Sequence, residues 1–175
     1  MFYLCVVAYD QAGNLNDLWK FSNGNWTWIS GSSYTNSYGV YGTQGIASPS
    51  NFPGARTFAA VGFDSAGSFW VFGGSTSGVG KCFICVAYDQ AKYLNDLWTF
   101  SNGTWTWISG SSSINSIGVY GTQGIASPSN FPGGRAGSAI GFDSAGSLWV
   151  FGGYGYVVGV PCKCFICCLR SSWKF

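Results

Sequence analysis

Four cysteines at the spacing of a metal knuckle are the residues most suggestive of chemistry. Lys-Cys-Phe-Ile-Cys fills 81–85 and again 163–167, so Cys82, Cys85, Cys164 and Cys167 form two Cys-x-x-Cys pairs. Four thiolates are the ligand set of a tetrahedral zinc site. The residues between them argue otherwise. Phe and Ile are not the glycines and turn formers that wrap a knuckle around a metal, and they read as an apolar strand using Cys as a small hydrophobe. No metal is assigned. Buried thiols are the expectation, with disulfides and a four-cysteine zinc site as the alternatives. The chain has seven cysteines, an odd number, which excludes a fully paired disulfide framework within it.

Other catalytic groups are scarce. The 175 residues include no histidine, which removes Ser/His and Cys/His nucleophiles. All six acids are aspartates: Asp10, Asp17, Asp64, Asp89, Asp96 and Asp143. Each reads locally as a turn or strand-end hydrogen-bond acceptor. Arg56 and Arg135 are expected to hydrogen-bond carbonyls of a neighbouring unit or an Asp, with anion recognition as the lesser role. No catalytic residue and no cofactor is assigned. Asn25-Trp-Thr and Asn102-Gly-Thr match glycosylation sequons at non-equivalent places, as chance matches in Asn-rich turns do.

Binding chemistry rests on tryptophans. Trp26 and Trp28, and likewise Trp105 and Trp107, stand two residues apart in "WTWIS". Along a strand, such residues share a face. Exposed, each pair is a sugar-binding platform; buried, it is core. Core packing is the expectation. The platform reading persists because this strand falls at an outer rim, as an edge.

Elements that position these residues follow from composition and repetition. Charged residues are only 8% of the chain and aromatics 19%, with 27 glycines. That mixture favours short strands and tight turns over helices. The net charge of +2 comes from scattered Lys and Arg, so no basic stripe exists for nucleic acid. No apolar run is long enough for a helical membrane span. Residues 7–74 and 86–153 differ at only 13 positions, with every equivalent pair 79 apart. Such near-identity implies two copies of one structural unit. Within a unit, "TFAAVGF", "SFWVFGG", "LNDLWTF" and "TWTWIS" read as four antiparallel strands. Asp64 with Gly67 suits the first turn, and Asn102-Gly103 the last. Long Gly/Ser/Pro-rich connections, 31–55 and 110–134, join the units.

The ordered set "WVFGG" (70–74 and 149–153), "LNDLW", and the tryptophan that begins "WTWIS", with Arg56 and Arg135 before the first strand, resembles the kelch repeat of β-propellers. It is similar to the repeats of the galactose oxidase central domain. The resemblance implies an all-β fold of four-stranded antiparallel blades around an axis. Residues 15–30 would be a half-blade, 57–109 a full blade and 136–153 a half-blade. "SWKF" (172–175) reads as a worn "LWKF". Two blades cannot close a ring, so the chain is expected to be a fragment, an assembling subunit or an incomplete product, a partial propeller. Copper chemistry of the galactose oxidase kind needs histidine and is excluded. The resemblance therefore implies a non-enzymatic binding or scaffold module, meeting a protein partner through its loops. A carbohydrate-binding fragment, or a purely structural piece, is the alternative. Open half-blades also imply self-association with further kelch repeats.

Overall fold

A computed structural model describes residues 13–76 and 92–155. Among these residues there are ten β-strands and no helix, and every sheet is antiparallel. The centre is a four-stranded sheet in sequence order. It comprises β3 (Ala60–Phe63), β4 (Phe69–Ser75), β5 (Tyr93–Ser101) and β6 (Thr104–Ser109). Before it in sequence comes a hairpin of β1 (Leu18–Ser22) and β2 (Asn25–Ser30). After it comes a hairpin of β8 (Ala139–Phe142) and β9 (Leu148–Phe151). The short strands β7 (Arg135–Ala136) and β10 (Tyr154–Gly155) pair with each other.

Local chemistry sets the turns. Asn23-Gly24 and Asn102-Gly103 take φ of 51° and 78° in each hairpin. Positive φ at both central residues gives the two-residue turn whose twist matches the strands it joins. Ser22 is thereby placed opposite Asn25, and Ser101 opposite Thr104. The β3–β4 turn is stapled by Asp64, whose Oδ1 accepts from the amides of Ala66 and Ser68, both at 2.9 Å. Its Oδ2 accepts from Trp70 Nε1 at 2.9 Å. Asp143 repeats all three bonds in the second copy. These hydrogen bonds, the one from the tryptophan foremost, hold both carboxyls below the ordinary aspartate value.

Alternation along the strands divides the central sheet into two faces. Val71, Trp98 and Trp105 form the buried core of one face, with Phe69, Phe100 and Trp107 beside them. Leu18, Tyr41 and Phe52 cover it, and Trp105 Nε1 donates to Ser30 Oγ at 3.0 Å. The amino-terminal hairpin and the 31–55 connection thus lie over this face. On the other face Trp70 meets Phe142 with ring centroids 5.6 Å apart, and Gly62 faces Ile140. The β8–β9 hairpin lies over that side.

Burial separates identical residues. Trp98 is 0% exposed and its counterpart Trp19 48%; Trp105 is 4% exposed and its counterpart Trp26 67%. Phe72 is 4% exposed and Phe151 82%. The central sheet has a neighbour on each face, whereas each hairpin has one face covered. Burying such a side chain stabilises by about 1.5–3 kcal/mol, so the fold is secured chiefly at the centre.

The double glycine does not end β4, which runs on to Ser75 past a register shift; both residues have positive φ, 60° at Gly73 and 100° at Gly74. A Cβ on Gly73 would stand 2.6 Å from Arg135 O and 2.9 Å from Leu94 O. One on Gly152 would meet nothing within 4 Å, although φ there is 68°. In dilute protein Gly152→Val should therefore show only backbone strain, about 1–2 kcal/mol. Gly73→Val should lose about 1–3 kcal/mol more through the clash. Urea unfolding measures both, and equal midpoints would contradict this packing.

Candidate functional site

The most constrained polar cluster centres on Asp96, in the middle of β5. Arg56 meets its carboxylate through two nitrogens, Nη1 to Oδ1 at 2.8 Å and Nη2 to Oδ2 at 2.9 Å. Trp98 Nε1 and the Tyr41 hydroxyl also donate to Oδ2, each at 2.7 Å. Arg56 also donates to Gly54 O at 3.0 Å and Gly73 O at 2.9 Å. The side chain of Asp96 is 0% exposed and that of Arg56 6%.

Electrostatics follows from this enclosure. Burial pushes the Tyr41 hydroxyl well above the ordinary tyrosine value of 10.0, and the Asp96 charge and hydrogen bond push it further. For Arg56, burial works to lower the pKa, but the attraction and hydrogen bonds of Asp96 outweigh it and hold the group above its ordinary value. A carboxylate accepting four charged or polar donors is locked in place. It has no open side from which to take a substrate's proton. The cluster instead ties together β5, β4, the segment before β3 and the 31–55 connection.

The same residues in the other copy stand apart. Asp17 accepts from Trp19 Nε1 at 2.6 Å. Arg135 donates to Gly133 O and Gly152 O, both at 3.0 Å, and meets no carboxylate among the described residues. Tyr120, the counterpart of Tyr41, is exposed. It heads a shallow hollow of about 610 Å³ formed by residues 120–126 with Asn130.

The tryptophan pairs divide in the same way. Trp105 is core, and Trp107 is half-buried with Tyr41 edge-on at 5.1 Å. Trp26 and Trp28 are exposed; Trp28 stacks on Trp19 at 6.2 Å, and Trp26 leans on Phe21 at 5.0 Å. The expectation that the fourth strand presents an open edge fails for β6. Gly45 N donates to Trp107 O at 2.8 Å and Ser48 N to Trp105 O at 3.4 Å, so the 31–55 connection caps that edge. Cys82, Cys85, Cys164 and Cys167, with Asp10 and Asp89, lie outside the described residues.

Sequence reasoning missed Tyr41 altogether and took Asp96 for a local acceptor. One signal was available. Residues 39–54 and 118–133 are identical at every position, although both belong to connections. An unchanged run of that length in a loop points to packing constraints. No family model matches the chain, and neither a curated protein nor a solved structure matches it.

Breaking the Asp96 pair leaves Arg56 buried without its partner. Asp96→Asn should cost about 3–5 kcal/mol in urea unfolding. Tyr41 adds an alkaline signature. Its folded pKa lies above its unfolded value of 10.0, so the folded state keeps a proton that the unfolded state releases. That contribution is complete below pH 10 and is lost as pH rises beyond it. Stability measured from about pH 10 upward should fall. Tyr41→Phe should flatten the fall, and an unchanged slope would contradict the buried hydroxyl.

Proposed function

We propose that the chain is a non-enzymatic, kelch-like binding or scaffold module that meets a protein partner through the tips of its inter-unit connections. One observation carries this reading. Within each connection the copies differ at 34, 35 and 38 against 113, 114 and 117, agree without a break from 39 to 54, and differ once more where Ala55 ends one connection and Gly134 the other. The agreeing part is the framework that packs on β6 and Asp96. The differing part is a tip: Tyr34 is exposed, Tyr38 is 93% exposed, and Ile114 and Ile117 are exposed in the second copy. A fixed scaffold with variable apolar tips is how loops carry recognition. The acids support the same reading, because each described aspartate is engaged in a turn, a tryptophan bond or the buried cluster. The partial-propeller arrangement belongs to the proposal as well, with the four-stranded sheet as one blade.

A second reading has its own observation. Trp26, Trp28 and Trp19 form an exposed aromatic surface of the kind that stacks on sugar rings. Two probes separate the readings. Immobilised full chain should retain a saturable protein partner, and Tyr38→Ser should weaken that retention about tenfold or more, the loss of a central aromatic anchor, without moving the melting temperature. Retention insensitive to Tyr38→Ser contradicts binding by the tips. Binding on a glycan array that is abolished by Trp26→Ala would favour the carbohydrate reading instead.

A further inference from the structure

We infer that the chain assembles head to tail with further copies of itself. The β8–β9 hairpin of one copy and the β1–β2 hairpin of the next would form a single four-stranded sheet closed by an Arg135–Asp17 ion pair. The proposal goes beyond binding by the loop tips and does not depend on what those tips recognise.

The template lies inside the chain. In the central sheet, β4 pairs with β5 and places Val71 opposite Trp98 and Phe72 opposite Leu97. β9 is the counterpart of β4, and β1 the counterpart of β5, yet each belongs to a two-stranded sheet. Pairing β9 of one copy with β1 of the next in the same register puts Val150 opposite Trp19 and Phe151 opposite Leu18. Both strands then gain the ladder that an exposed edge invites.

One chain cannot make this pairing by itself. Leu18 packs with Val71 on one face of the central sheet, whereas Phe142 packs on Trp70, on the other face. The two hairpins are held apart by the sheet between them. In this arrangement Asp17 of the next copy supplies the carboxylate. With Trp173 aligned on Trp19, the chain's own "SSWKF" places Ser171 where Asp17 stands.

Polar groups match as well as apolar ones. Among the described residues Asp17 meets neither the arginine nor the tyrosine that Asp96 holds, and Arg135 meets no carboxylate such as Arg56 holds. Tyr120, exposed in its own copy, occupies the place from which Tyr41 donates to Asp96. The Gly124 amide corresponds to that of Gly45, which caps the Trp107 carbonyl, so it would cap Trp28 of the next copy. The hollow at 120–126 is then the seat of the Trp26–Trp28 strand.

Charge reversal tests the junction on the purified full chain alone, so it can fail without bearing on loop binding. Sedimentation velocity of wild type should show species above the 18.6 kDa monomer that grow with concentration. Arg135→Asp and Asp17→Arg should each remain monomeric, with the near-ultraviolet dichroism of the central core retained. An equimolar mixture of the two should regain assembly, because the reversed positions face each other and the unaltered ones do too. Tyr120→Ser, altering an exposed side chain, should weaken self-association at least tenfold and serves if a reversal disturbs folding. A wild type that stays monomeric at every concentration overturns the proposal. So do reversal variants that assemble like wild type, or a mixture that does not assemble.

Discussion

Everything at the centre of the molecule converges on one buried carboxylate. Asp96 is taken out of water completely, and it is tolerable there only because four donors meet it. Those donors come from three places: a connection, the segment before the first strand of the sheet, and its own strand. Arg56 in turn holds the carbonyl of Gly73 in β4. The positions of Tyr41, of the β6 edge and of the close-packed Gly73 all follow from that arrangement. An apolar residue at 96 would have left the guanidinium without a partner, so the cluster stands or falls as a unit.

Two nearly identical copies make context visible as a physical variable. Trp26 and Trp105 sit in the same local string, yet one is exposed and the other is core. Local sequence therefore determined the hairpins and left burial to neighbours. The strands were legible for local reasons. Asn-Gly turns need positive φ, Asp64 and Gly67 close the β3–β4 turn, and alternation marks the faces. The all-β antiparallel character and the four-stranded sheet followed from these cues. That Arg56 would meet carbonyls or an Asp was legible, and it does; which Asp, and the part of Tyr41, were not, because the members lie up to 55 residues apart and no spacing rule links them. The cap on β6 was hidden for the same reason, being made by a connection that reads as loop.

The proposed function and the proposed assembly use different parts of one connection. Its framework repeats without change, packed on β6 in the first copy and open in the second; its tip varies and faces solvent. A recognition surface built this way can change without disturbing the fold. The exposed aromatic faces of the hairpins are a separate matter. Large exposed apolar patches mark places where something docks. In the proposed assembly the complementary surface is that of a second copy, because the two hairpins of one chain lie on opposite faces of the central sheet.

In the proposed assembly one junction geometry is formed once within the chain and completed between chains. Backbone amide exchange, followed residue by residue in dilute and concentrated protein, tests it most directly. Amides of β4 and β5 should exchange slowly under both conditions. Those amides of β1 and β9 that point away from β2 and β8 should exchange rapidly when dilute and slow towards the β4–β5 rates as concentration rises. Exchange at these amides that is already as slow as at β4 and β5 in the dilute monomer would contradict the proposed assembly, as would exchange that stays rapid at every concentration.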